Sequence, residues 1–326
     1  MTMKKIVALC LSLVLLLTAA SALAEDAKTY RIGIRQFAEH GSLDNCRQGF
    51  LEGLAEEGFV EGQNLIIEVK NAQADTATTA QMADVLAATS DMICAIATPA
   101  AMSAFNAAED AGIPVIYTAV SDPVGAQLAG ADGANPGQIT GTSDALPVEA
   151  QLKLIRALMP DATKIGILHT TSETNSDSTL AEYQRLAPEY GFEIIDKGIS
   201  TGADLPMALD ALLPQVDCTT NLTDNTVVSY LAVVLEKSAE YGKPVFGSEI
   251  EQVRMGCVAS EGLEYVELGR QTGRMAARVL RGESAQDIPF ELITNSYLYV
   301  NPDAMAQYGL TVPADLAERV NEVSAE

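Results

Sequence analysis

The feature that most constrains this chain is that it repeats itself. Gly33 and Gly166 stand 133 residues apart, and so do Gly58 and Gly191. Around the first pair, Arg31, Ile32, Gly33 and Ile34 answer Lys164, Ile165, Gly166 and Ile167. Around the second, the endings Glu56-Glu57-Gly58-Phe59 and Glu189-Tyr190-Gly191-Phe192 match. Further on, Gly112, Pro114 and Val115 answer Gly242, Pro244 and Val245. Agreement over several elements marks an internal repeat of one α/β unit. Two such units face each other across a cleft lined by their loop edges.

Residues 91–124 show the unit most clearly. Met92 opens a short apolar run of buried-strand length. Thr98 offers a hydroxyl that can cap a helix, and Pro99 suits the first helical position. Residues 100–111 then read as helix, ended by Gly112 and stopped by Pro114. A second strand over 115–120 closes at Ser121, Asp122 and Pro123. Both loops fall at the carboxyl ends of strands, where open α/β sheets bind ligands. Thr98 and Asp122 also fit a purely local role in capping and turning.

The same reading predicts strands over 30–34, 64–69, 139–143, 164–168, 192–195, 216–220, 244–247, 257–260 and 297–300. It predicts helices over 43–57, 76–89, 148–158, 176–190, 205–213, 226–241, 262–281 and 302–308. Alternation at this spacing specifies parallel sheets with right-handed crossovers. The expected fold class is therefore α/β, with two similar Rossmann-like lobes. The first lobe is expected over 25–143 plus about 261–290, and the second over 144–260 plus about 291–326. Crossings near Ser143, Ser260 and Phe290 would form a hinge.

The first residues read as an address. Lys4 and Lys5 precede an apolar run over 6–17, and Ala22-Leu23-Ala24 is a small-x-small cleavage signal. An exported chain beginning at Glu25 is expected, and no later run is long and apolar enough to span a bilayer. Leu9 before Cys10 is not the small residue that a lipidation site wants, so no lipid anchor is expected. The formal charge of −24 argues against nucleic acid, whose phosphates need a basic face. Cys94, Cys218 and Cys257 sit in apolar runs, and Cys46 lies on the apolar face of a predicted helix. The three in apolar runs read as small core residues, though an exported chain also permits disulfides among the four.

The strand-end loops hold the candidate ligand residues. In the first half these are Gln36, Phe37, Glu39, His40, Thr98, Pro99, Ala100, Ser121 and Asp122. In the second they are Thr171, Glu173, Asn175, Ser176, Thr223, Asp224, Asn225, Ser248 and Glu249. A carboxylate would lean on helix-end N–H groups and hydroxyls. An ammonium would find Asp224, Glu173, Glu249 or Asp122, and Phe37 supplies a flat apolar wall. A zwitterion with an apolar side chain fits that inventory. Taken alone, Asp224 and Asn175 read as helix caps rather than ligand contacts.

These residues also carry a family resemblance. The segments are Gln36…Glu39-His40…Leu43-Asp44, Ala97-Thr98-Pro99-Ala100-Ala101 and Thr118-Ala119-Val120-Ser121-Asp122-Pro123-Val124. To these add Thr140-Gly141-Thr142-Ser143-Asp144, Glu173…Asn175-Ser176 and Thr223-Asp224-Asn225-Thr226-Val227. Over the whole mature chain this order resembles the exported substrate-binding proteins of ABC transporters in the tryptophan/tyrosine-type group. The resemblance implies a type I periplasmic-binding-protein fold, a cleft that closes on its ligand, and no catalysis or cofactor. It adds Ser143 to the ligand candidates and favours an amino acid, aromatic first. It implies a separate membrane permease and ATPase and a monomeric binding protein. The family often has Pro where this chain has Leu222, and Tyr where it has His169. Many relatives in Gram-positive bacteria are lipoproteins, and this leader does not look like theirs.

Three rivals share the architecture. A sugar-binding relative would want two aromatic plates, and only Phe37 is at hand, with no tryptophan in the chain. A sensory receptor would look the same from sequence. An amino-acid racemase would use one cysteine from each half, and Cys94 and Cys218 occupy related strands, though inside them, where a thiol is packed rather than activated. A metal site would need more imidazoles than His40 and His169.

Overall fold

The computed structural model describes residues 28–324; the expected signal peptide lies outside the described residues. Each half builds the repeated unit from the same parts. In the first, β1 (Tyr30–Gln36), α1 (Gly41–Glu56), β2 (Leu65–Asn71), α2 (Thr76–Thr89), β3 (Met92–Ile96), α3 (Thr98–Ala111), β4 (Val115–Thr118) and β5 (Ile139–Ser143) alternate. In the second, α4 (Val148–Leu158) leads into β6 (Lys164–Thr170), α5 (Thr174–Leu186), β7 (Glu193–Ile199), α6 (Leu205–Leu212) and β8 (Cys218–Thr220). Then follow α7 (Asn225–Ser229), α8 (Leu231–Glu240), β9 (Val245–Phe246), α9 (Ile250–Met255) and β10 (Ala259–Gly262). The tail supplies α10 (Tyr265–Leu280), β11 (Glu291–Leu292), β12 (Tyr297–Val300), α11 (Pro302–Gln307) and β13 (Val320–Glu322).

The first sheet is parallel, in the order β11-β5-β4-β3-β1-β2. The second runs β7-β6-β8-β9 in parallel. It continues into β10-β12-β13 through backbone bonds from Val258 to Val245 and from Gly247 to Ala259. Both sheets thus place their second strand outside the first and their third on the other side.

The matched glycines do matched work. A Cβ on Gly33 would meet Leu86 of α2 at 2.9 Å, and one on Gly166 would meet Leu212 of α6 at 3.2 Å. Each glycine lets the second helix of its unit lie against the central strand. Gly58 and Gly191 adopt φ of 87° and 74°, the left-handed turn that ends the first helical stretch of each unit.

The tail divides between the two cores. Leu263, Tyr265, Leu268, Ala276 and Leu280 join the core of the first sheet. Leu298, Val300 and Met305 join that of the second. Helix α10 lies almost backbone to backbone on α1. A Cβ on Gly49 or Gly53 would collide with carbonyls of Val266 and Arg270, and one on Gly269 or Gly273 with those of Cys46 and Phe50.

Several elements depart from expectation. The helix predicted over 176–190 is α5 followed by a 3₁₀ turn, Ala187–Tyr190, because Pro188 cannot continue an α-helical ladder. The helix predicted over 226–241 breaks at Tyr230 into α7 and α8. Helix α9 and strands β11 and β13 are short additions that carry no periodic signal. The four cysteines 46, 94, 218 and 257 are buried and free.

Candidate functional site

The strand ends of the two halves meet across a cavity of about 460 Å³. Its first-lobe wall comprises Phe37, the loop residues Ala74 and Asp75, Thr76 of α2, and Thr98, Pro99 and Met102 of α3. Its second-lobe wall comprises Thr170, Ser172, Glu173, Thr174, Ser200, Thr201 and Thr226. No lysine or arginine is among the lining residues. A cavity of similar size, about 480 Å³, lies between α10 and β11, but its charged groups already pair: Arg278 reaches Glu291 and Gln271 donates to Glu291. None of the predicted strand-end residues reaches it.

Three side-chain contacts bridge the lobes beside the cleft. Ser121 Oγ lies 3.0 Å from Thr223 Oγ1, His40 Nε2 lies 3.5 Å from Asn225 Oδ1, and Asn45 donates to Glu251 at 2.9 Å. Next to them a gap of only about 10 Å³ is lined by His40, Asp144, Thr223, Asn225, Glu249 and Tyr265. The lobes are therefore closed on one another.

The first-lobe wall is built by a strained exit. Ala97 is held at φ 83° and ψ 153°, a conformation disfavoured for an L residue. It turns the chain from β3 into α3 so that Thr98 and Pro99 line the cavity. Thr98 does not cap the helix as expected; Ala97 occupies the cap position and Thr98 is the first helical residue. Its Oγ1 is buried without a partner. The α3 amino terminus, Thr98 Oγ1 and the apolar faces of Phe37, Pro99 and Met102 therefore share one wall.

The second-lobe wall is built around two acids. Asp224 caps α7 through Val227 N and also accepts from Thr170 N, Thr170 Oγ1 and Ser176 Oγ at 2.5–2.8 Å. Its oxygens are spent on holding the loop. Glu173 lines the cavity and accepts from the backbone and side chains of Asn225 and Thr226, with Asn175 Nδ2 at 3.3 Å. Burial, reinforced by the Asp224 charge, raises its carboxyl to about 7 against the pull of those donors. The wall is thus anionic or proton-bearing, with no lysine or arginine beside it among the described residues.

Of the predicted residues, Phe37, Thr98, Pro99 and Glu173 come together on the cavity. Asn175, Ser176, Asp224 and Asn225 form the network behind Glu173. Thr223 and Glu249 line the narrow gap, and Ser121 and Ser248 bond to its surrounding loops. Six others do not line the cavity, among them Thr171, which donates to Ile199 O. The Gln36 amide is engaged by Ala38, Asp44 and Arg47. Glu39 is exposed, Ala100 is buried in the core, Asp122 turns back to Gly125 N, and Ser143 donates to Ser121 O. The loops after β2 and β7 and the first residue of α2, which give Ala74, Asp75, Thr76, Ser200 and Thr201, hold none of the sequence candidates. Their signal was their place at the carboxyl ends of strands. The proposed racemase thiols, Cys94 and Cys218, are fully buried inside strands, where burial raises both.

A "Tyrosine-binding protein" of Clostridioides difficile is 36% identical over 282 residues, 86% of this chain and 81% of that protein. An ABC domain of Streptococcus pneumoniae, solved in complex with L-Trp, is 31% identical and superposes with a TM-score of 0.87 over 91% of this chain and all of that one. A ligand-free, open substrate-binding protein with adhesive properties from Clostridium difficile is more identical, 36%, over the same shares of both chains, yet reaches only 0.69. The better fit to the complex agrees with lobes that are shut. The fold is that of type I periplasmic-binding proteins. The family model for ABC transporter substrate binding protein matches residues 31–324, almost the whole described chain, and the chain belongs to that family.

Proposed function

We propose that this protein captures an aromatic amino acid in the cavity between its lobes and carries it to an ABC importer. The single observation that carries this reading is Glu173. A buried carboxylate lines the cavity with no cation around it, and it faces an apolar wall and a helix amino terminus. An α-ammonium offsets the charge of Glu173, whose oxygens already hold Asn225 and Thr226, an α-carboxylate satisfies α3, and an aromatic ring covers Phe37, Pro99 and Met102. The ligands named for the two relatives, tyrosine and L-Trp, support the choice of class.

The mechanism is capture and closure, without a reaction or a cofactor. A ligand that touches both walls only when the lobes are shut shifts the population to the shut form. The lobes are about residues 28–143 plus 263–292 and 144–262 plus 293–326, in keeping with β11 pairing in the first sheet and β10 beside the second, and are hinged at the three crossings. Ser121, Thr223, Asn225 and Glu249 serve the closing surfaces beside the ligand. The protein acts as an exported monomer, cleaved after Ala24 and without a lipid anchor. A separate permease and ATPase complete the importer. In support, no helix of the described residues is long and apolar enough to cross a membrane.

Thermal unfolding of the chain from residue 25 onward, with each amino acid and a set of sugars, tests the ligand. At ~100 times its dissociation constant a ligand adds about 2.7 kcal/mol to stability. A raised midpoint with tyrosine, tryptophan or phenylalanine is the expected result. Shifts confined to sugars, or no shift at all, would sink the amino-acid reading.

A further inference from the structure

Arg35 lies on β1 one residue before Gln36 and is fully buried. At the repeat spacing of 133 its counterpart in the second lobe is Leu168, an ordinary core residue. A charge in a position that the other copy fills with leucine needs compensation. The partners found for it among the described residues are backbone carbonyls: Thr79 O at 3.2 Å, Gln36 O at 2.9 Å and Lys70 O at 3.4 Å. Among the described residues its Nη2 has no hydrogen-bond partner and no carboxylate pairs with it. Burial lowers the guanidinium to about 10, which still leaves it charged at neutral pH.

Its position gives the charge a use. Thr79, whose carbonyl it holds, lines the ligand cavity, and so does Thr98 with its unpartnered buried hydroxyl. Asp75 is the acid on this wall. It is exposed, and its carboxylate turns to Thr78 N at 2.6 Å.

We propose that Thr98 and Arg35 form the anion subsite of the cleft, with Thr98 Oγ1 and the α3 N–H groups bonding a ligand carboxylate and Arg35 supplying its counter-charge from beneath the wall. The subsite makes a free carboxylate a requirement for tight binding. Arg35 is a positioning charge, since it does not itself line the cavity. The assignment rests on the aromatic amino acid reading for its natural ligand, but the anion subsite can be probed without it.

The test is Arg35→Met, which brings the site close to its leucine counterpart, with Arg35→Lys beside it and the fold of both checked by circular dichroism. Binding is measured for L-tyrosine, L-tryptophan, tyramine, which lacks the carboxylate, and 3-(4-hydroxyphenyl)propanoate, which lacks the ammonium. Arg35→Met is expected to weaken both amino acids and the propanoate by about tenfold or more, leave tyramine within twofold, and be largely rescued by lysine. Equal losses for tyramine and tyrosine, or no loss for tyrosine, would overturn the subsite. Should the wild type bind no aromatic amino acid, the ligand reading falls by itself and the propanoate decides. A wild-type thermal shift that Arg35→Met removes supports the subsite; no wild-type shift, or one that the variant keeps, refutes it.

Discussion

The two lobes share a strand order and a turn chemistry, yet they present opposite faces to the cleft. The first offers an apolar surface, a helix amino terminus and the buried Arg35. The second offers Glu173 ringed by hydroxyls. At the repeat spacing, Glu173 stands where the first lobe has His40, and Leu168 where it has Arg35. Duplication kept the residues that let a helix lie on a strand and changed those at the strand ends. A repeated fold thereby acquires a polar axis across its own cleft, which is what a zwitterion needs and a sugar does not.

The lobes differ in their support as well, and that difference predicts the largest effect. Helix α10 returns from the second half to lie on α1 through four glycines whose Cβ positions are filled by backbone. Gly269→Val forces the helices apart against the Cys46 carbonyl and is expected to cost about 3 kcal/mol or more. Urea unfolding should show the loss, with hydrogen exchange rising in α1 and β1 ahead of β6 and β8. Exchange rising equally in both halves would mean that the lobes do not differ in this way.

Next in size is the second-lobe wall itself. Glu173→Gln removes the charge opposite α3 and is expected to weaken aromatic amino acid binding by about 2–3 kcal/mol. The wild type should also bind more weakly as pH falls below about 7, since a bound ammonium favours the ionised carboxylate and protonation must be undone. In the variant that pH dependence should vanish. Calorimetry at pH 5.5 and 8 on both proteins separates this from mere damage to the loop, which would weaken binding without flattening the profile.

Much of the fold was legible in the sequence because its punctuation is chemical. A glycine in a left-handed turn, a proline after it and an apolar run of strand length leave few alternatives. Phe37, Thr98, Pro99 and Glu173 were legible for the same reason, since they follow the ends of buried strands. The loops after β2 and β7 were not, because those edge strands are half exposed and show no clean apolar run to mark their ends. Thr170 is not legible because β6 runs two residues further than its apolar core suggests. Arg35 gives no signal in the sequence, because it stands at the end of a strand, where a charge usually faces water. Asp224 shows the opposite limit: nothing in Thr223-Asp224-Asn225 distinguishes an acid that bonds a ligand from one that bonds its own loop.

The smallest effect concerns the acid on the closing surface rather than in the ligand cavity. Glu249 caps α9 through Glu251 N and Gln252 N, and burial raises its carboxyl to about 7. The gap around it also holds His40, which burial lowers to about 4, and Asp144, which burial raises. A carboxyl whose folded value lies above its unfolded one binds more protons when folded. Its share of stability is therefore full below about 4.5 and is lost as pH rises through about 7. Glu249→Gln can keep an acceptor for the cap and never ionises. Relative to the wild type it should gain about 1 kcal/mol between pH 5 and pH 8, with opening of the cleft relieving part of the full cost. The His40 and Asp144 contributions are common to both proteins and drop out of that difference. Thermal unfolding without ligand at the two pH values measures it. A flat difference would mean that Glu249 meets water on the closing surface, and that the lobes are held apart until ligand arrives.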